Sequence, residues 1–142
     1  MSRYLETVEP QVQEHPMPFV PGIKARGTFL FISGATASPL VHRHPHVEEE
    51  LAIPEDIGEQ TRRCMENIRL VLDAVGATFD DIVKTTIFNT RMDEQDRVNE
   101  VYTSYFKHRL PTRSHVGVSE LVVPGLKVEI EAIALLPDEE ES

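Results

Sequence analysis

Apolar and polar positions change period several times along the chain, and each change marks an element. Thr28 to Ser33 is a continuous apolar run of strand length, and Gly34 closes it where the backbone must turn or pass close to a neighbour. Ile57, Thr61, Cys64, Ile68, Leu72 and Val75 then recur at spacings of three and four. Glu59, Arg62, Arg63, Glu66, Arg69 and Asp73 take the other side, which predicts an amphipathic helix stopped by Gly76. Ile82 to Asn89, rich in Val, Ile, Thr and Phe, reads as a strand. Asp93 is a candidate cap for a second helix with Val98, Val101, Tyr102, Tyr105 and Phe106 on one stripe, ended by Pro111. Strands about Arg113 to Ser119 and Lys127 to Leu136, separated by a Pro124-Gly125 turn, close the pattern.

The order is strand, helix, strand, helix, strand, strand, which predicts a single α+β domain: a mixed β-sheet of four to six strands with two helices packed on one face. Residues 1–21, with four of the ten prolines, read as an extended arm with a short strand at its end. Residues 35–54 read as a long loop and 137–142 as an acidic tail. In the first predicted strand both Phe29/Phe31 and Leu30/Ile32 are apolar. Helices on one side leave the second apolar face for another subunit to cover.

Charge narrows the function classes. The net charge is −10, from 24 acidic and 14 basic residues, so general attraction to nucleic acid or to an anionic membrane is not expected. Part of the excess is local, in Glu48 to Glu50 and in Asp138 to Glu141. An anionic ligand would therefore need a dedicated cation. A lone Cys64, no secretory segment and no long apolar run predict a protein of the reducing cytoplasm.

Arg113 is the candidate cation. Strand alternation groups it with His115, Gly117 and Ser119, and in the last strand groups Lys127, Glu129 and Glu131. If the two strands pair antiparallel through the Pro-Gly turn, a guanidinium, an imidazole and two carboxylates share one face. The planar fork of arginine suits a substrate carboxylate, and a nearby glutamate suits activation of a water. A structural ion pair of Arg113 with Glu129 or Glu131 fits the same spacing. Such a pair fills the guanidinium, whereas a binding site leaves one edge open.

Pro18-Phe19-Val20-Pro21-Gly22, Phe31-Ile32-Ser33-Gly34, Glu66-Asn67-Ile68, Asp81 to Thr86, Val98 to Tyr102, Pro111-Thr112-Arg113-Ser114 and Val128 to Ala134 follow one another in the chain. This succession resembles the signatures of the Rid (reactive intermediate deaminase) family, over nearly the whole chain apart from the 35–54 loop and the tail. The resemblance implies a chorismate-mutase-like subunit in a homotrimer with pockets between neighbours. It also implies hydrolysis of an enamine or imine to a keto acid and ammonia, without metal or organic cofactor. Arg113 would hold the substrate carboxylate, Glu129 would position or activate water, and Phe19, Ser33 and Asn99 would line the pocket.

This chain departs from the family pattern with Phe19 in place of tyrosine, His115 in place of cysteine, Ala35 in place of glutamine, and a longer 35–54 loop. An imidazole at position 115 offers a proton donor or acceptor and favours a larger or more anionic substrate, of which a 2-aminomuconate type is the specific expectation. The resemblance equally admits a non-catalytic small-ligand-binding, regulatory or chaperone-like protein that uses the same pocket.

His42-Arg43-His44-Pro45-His46 brings three imidazoles two residues apart, a spacing sterically open to a metal. A loop interrupted by proline lacks the rigid second shell that a metal site needs, so the expectation is no metal. Cys64, on the apolar stripe, is expected to be an inert core residue. Ser33 and Ser114 have no Ser-His-Asp arrangement around them.

Overall fold

The computed structural model describes residues 2–11, 14–47, 49 and 52–139. Glu48 and Glu50 of the acidic cluster, and Glu140 and Glu141 of the tail, lie outside the described residues.

Strands β1 (Tyr4–Val8) and β2 (Gly22–Arg26) form an antiparallel hairpin. Then come β3 (Phe29–Ala35), α1 (Ile57–Asp73), β4 (Ile82–Asn89), α2 (Gln95–Thr103), β5 (Thr112–Gly117) and β6 (Val128–Leu135). The main sheet has the order β3-β6-β4-β5. Its β4-β5 pair is parallel and the others antiparallel, so the mixed sheet with two helices is observed as expected.

Two strand expectations need correction. The strand expected at the end of the arm lies near its start, where Tyr4–Val8 pairs with Gly22–Arg26. More important, β5 and β6 do not pair: β4 lies between them. Burial explains the order. In β4 and β6 the core-facing positions Ile82, Thr85, Ile87, Val128, Ile130, Ala132 and Ala134 are all buried, so these strands take the centre. In β5 no residue is fully buried, and it takes an edge beside β4, which α2 can reach by a crossover connection.

Helix α1 starts where Asp56 Oδ2 accepts the Glu59 backbone N–H at 2.9 Å. It lays Ile57, Cys64, Met65, Ile68 and Leu72 onto the sheet, while Val75 falls beyond its end and is exposed. Asp93 does not cap α2. Arg91 donates to its carboxylate at 3.0 and 2.8 Å, and a 3₁₀ turn at Met92–Glu94 leads into the helix. The helix stops at Thr103, yet Tyr105 and Phe106 still pack on the core beside Phe79.

A buried amide holds the long β5–β6 connection. Gln60 Nε2 donates to the carbonyls of Pro54 (2.8 Å) and Gly125 (3.0 Å), and its Oε1 accepts from Lys127 N (2.8 Å). Every polar atom of this side chain is satisfied, which lets it sit wholly inside.

Cys64 is buried, its Sγ is 3.6 Å from the Val128 carbonyl, and burial raises its thiol pKa, so it belongs to the core. Among the described residues no helix is long and apolar enough to cross a membrane.

The core assignment predicts unequal mutational effects. Ile87→Ala, which empties a fully buried position on β4, should lower stability by about 2–5 kcal/mol. Leu70→Ala, on the exposed side of α1, should stay within about 0.5 kcal/mol, both measured by chemical denaturation.

Candidate active site

The sheet register decides how the candidate residues can meet. Arg113 lies opposite Thr85, His115 opposite Ile87 and Gly117 opposite Asn89. Thr85, Ile87 and Asn89 are buried, so Arg113 and His115 point to the helix-covered face at the β5 edge. Glu129 lies opposite Phe88 and Glu131 opposite Thr86, on the other face. The expectation that Arg113, His115, Glu129 and Glu131 share one face is therefore wrong. With β4 inserted between β5 and β6, the alternation of each strand puts the basic and acidic groups on opposite sides.

On the helix-covered side, two contacts hold the guanidinium. Arg113 Nη1 donates to Asn99 Oδ1 of α2 at 2.7 Å, and its carbon lies 5.3 Å from the Tyr102 ring centre. Tyr102 is fully buried and its hydroxyl is 2.7 Å from Thr85 Oγ1, which fixes the ring under the guanidinium. Burial pulls the Arg113 pKa below its ordinary value, yet an arginine stays cationic at neutral pH. Among the described residues Arg113 makes no ion pair with Glu129, Glu131 or any other carboxylate. Its fork is not filled by a structural partner.

His115 is held in one tautomer by its neighbours. The buried Asn89 accepts the Arg91 backbone N–H through Oδ1 at 2.7 Å, which turns its amide nitrogen toward His115 Nε2 at 3.1 Å. Nε2 must then accept, and the proton resides on Nδ1. Nδ1 is buried and has no partner among the described residues. Burial first, and then the Arg113 charge, lower the His115 pKa to about 4. At neutral pH this residue is a fixed N–H donor, not the proton shuttle that an imidazole at this position suggests.

Phe19 is half-buried, and the next residue, Val20, donates its N–H to the Pro111 carbonyl at 3.1 Å. This places the backbone at Phe19 near the start of β5.

The open face carries the second group. Burial and the Glu131 charge beside it raise the Glu129 pKa above the ordinary carboxylate range. Its side chain lies against Gly34, where an added Cβ would sit 2.7 Å from Glu129 Oε2. That close approach, at an irregularity of the β3–β6 register between Ile32 and Ala35, explains the Ser33-Gly34 pair. Ser33 is exposed next to it. Further along this face β3 is apolar: Phe31, opposite Ile133, is 75% exposed, and Phe29, opposite Leu135, is exposed too.

Phe19, Asn99, Arg113 and His115 thus belong with β5 and α2, while Ser33 and Glu129 lie on the far side of the sheet. Asn89 and Tyr102 were missed in the sequence. A polar residue ending an apolar strand run was the available signal for Asn89, whereas Tyr102 is indistinguishable from core by spacing alone. A groove of about 990 Å³ lies elsewhere, beside α1 and α2, with Arg69, Phe79 and Tyr105 in its lining and none of the candidate residues. Arg62 and Arg69 there are paired with Glu59 and Glu66.

The family profile described as Endoribonuclease L-PSP matches residues 12–136. The chain belongs to this family, the Rid family. A RutC family protein of Pyrococcus horikoshii is 39% identical over 117 residues, covering 82% of this chain and 86% of that protein. TdcF of Escherichia coli, which carries the name reactive intermediate deaminase, is 36% identical over 121 residues, 83% of this chain and 86% of its own. The crystal structure of TdcF with bound serine has a TM-score of 0.65 at 33% identity, over 86% of this chain and 91% of that one. The Rid protein YyfB of Yersinia pestis, of unknown function, superposes with a TM-score of 0.78 at 25% identity, over 96% of this chain and all of YyfB. These neighbours share the chorismate-mutase-like Rid fold.

The tautomer assignment has a direct check in nitrogen-detected NMR of His115. The ring should titrate near 4, with the proton on Nδ1 at neutral pH. Its folded pKa lies below the unfolded value of 6.5, so stability is full above pH 6.5 and declines as pH falls toward 4. His115→Gln should remove that part of the slope, and an ordinary titration near 6.5 would contradict the assignment.

Proposed function

We propose that this chain is an enamine/imine deaminase whose active site is completed by a second copy of itself. The observation that carries the reading is Arg113: a half-buried guanidinium, held by Asn99 and Tyr102, with no carboxylate on it among the described residues. Such a group suits a substrate carboxylate, with two parallel hydrogen bonds in a partly desolvated setting. The TdcF structure, with an amino acid bound, and the deaminase name of that relative support the same chemistry.

Glu129 lies on the other face, so a substrate held by Arg113 of one copy meets Glu129 of the next. The exposed Phe29 and Phe31, further along the same face as Glu129, supply the apolar surface for that contact, and the family resemblance gives the assembly as a homotrimer. Within the seam the reaction asks little of the protein. The enamine takes a proton at carbon and becomes an imine, and water adds to the C=N carbon. The resulting carbinolamine loses ammonia to leave the keto acid. Glu129, with its raised proton affinity, takes the proton from water and returns it to the departing nitrogen. Arg113 sets the orientation. The balance closes with water as the one co-reactant, and no redox step occurs.

His115 bears on the substrate. Its Nδ1–H lies two residues from Arg113 on the same face of β5, about 7 Å along the strand. A guanidinium and a neutral donor at that separation fit a molecule with a second acceptor some carbons away from its carboxylate. A 2-aminomuconate-type dicarboxylate meets that description.

The ribonuclease term in the family description has less support. The chain carries −10 net charge, and its free guanidinium stands alone and not in a basic stripe.

Ammonia release from enamines generated in situ by a dehydratase tests the proposal. Arg113→Ala should reduce turnover by at least about 10²-fold, with fold and assembly intact by circular dichroism and gel filtration. Binding of a keto acid without any turnover by the wild type would instead make the chain a sensor, and full activity of Arg113→Ala would refute the assignment.

A further inference from the structure

The loop between β3 and α1 carries a histidine cluster that the deaminase reading does not use. His42, His44 and His46 gather so that one potential ligand atom from each lies within 4.8 Å of the others. The three ring centres are 4.8, 5.1 and 4.8 Å apart, tilted and not stacked. Rotation about the side-chain bonds is enough to turn three lone pairs this close toward one shared ion.

Two contacts supply part of the support that the sequence denied to this loop. His42 Nδ1 donates to the Pro39 carbonyl at 3.1 Å, which orients the ring and leaves the Nε2 lone pair free. The Asn67 amide of α1 donates to the carbonyls of Thr36 (3.0 Å) and Ser38 (2.8 Å), tying the start of the loop to a rigid helix. The sequence-based objection to a metal was the lack of such a shell.

We propose that His42, His44 and His46 bind one divalent transition-metal ion of the zinc class per chain. Zinc–imidazole bonds of about 2.0–2.1 Å put tetrahedral donors about 3.3 Å apart, so the rings close on the ion by rotating surface side chains. Three neutral nitrogen ligands select zinc, nickel or copper over magnesium or calcium, which require oxygen cages. The three protein ligands leave a coordination position for water or an exogenous group. The deamination described above routes no step through this ion.

The test is calorimetric titration of Zn²⁺ into tag-free, chelator-stripped full-length protein, with His44→Ala and the triple alanine variant in parallel. His108→Ala is the control, because that exposed histidine lies outside the cluster, near Asp80. The expected result is one ion per chain, weakened at least about tenfold in His44→Ala, lost in the triple variant and unchanged in the control. Loading should also protect the loop from limited proteolysis in the wild type and the control, and not in the triple variant. No binding by the wild type, or equal binding by the triple variant, overturns the proposal. Neither outcome touches the deaminase assignment, which ammonia release reads separately.

Discussion

Alternation along a β-strand sends successive side chains to opposite faces of a sheet, and this constraint organises the functional reading of the chain. Arg113 follows Thr85 in register and Glu129 follows Phe88, so the residue best suited to hold an anion and the residue best suited to move a proton are separated by the sheet itself. A small molecule cannot span that layer. On the proposed reading, a site that uses both groups forms where two copies meet, over the open face that carries Glu129.

Each half is prepared before the other arrives. On the Arg113 side, Asn99, Tyr102 and Thr85 fix the guanidinium, and Arg91, Asn89 and His115 form a chain of hydrogen bonds that ends in an unpartnered N–H. Leaving a buried donor unsatisfied is unfavourable, and such groups collect where a ligand completes them. On the Glu129 side, the missing side chain of Gly34 makes room for the carboxylate, whose proton affinity burial and Glu131 raise. The groove beside α1 and α2 has none of these residues in its lining.

The elements were legible because hydrophobic periodicity is local. The α1 stripe, the apolar runs of β3 and β4 and the terminal strand could all be read from spacing, with ends displaced by a few residues. Strand order was not legible. Pro124-Gly125 looks like a hairpin turn, but the decision that β6 pairs with β4 and not β5 rests on which strands bury their core-facing side, a tertiary property. The hairpin of β1 and β2 was hidden in the same way, since its partners are separated by a proline-rich stretch. The candidate residues were named mainly by their resemblance to a family, and their grouping was inferred from the wrong pairing. Asn89 escaped notice because its role passes through two neighbours. His115 was expected to exchange protons near neutrality, which its burial prevents.

Mixed assembly tests the shared site most directly. Arg113→Ala and Glu129→Gln subunits, each inactive in ammonia release when pure, are to be unfolded together and refolded as one population. If one copy lends the guanidinium and its neighbour the carboxylate, about a quarter of the sites in the mixture carry both native groups, and a corresponding share of wild-type turnover returns. A mixture as inactive as its two components would contradict a site divided between copies.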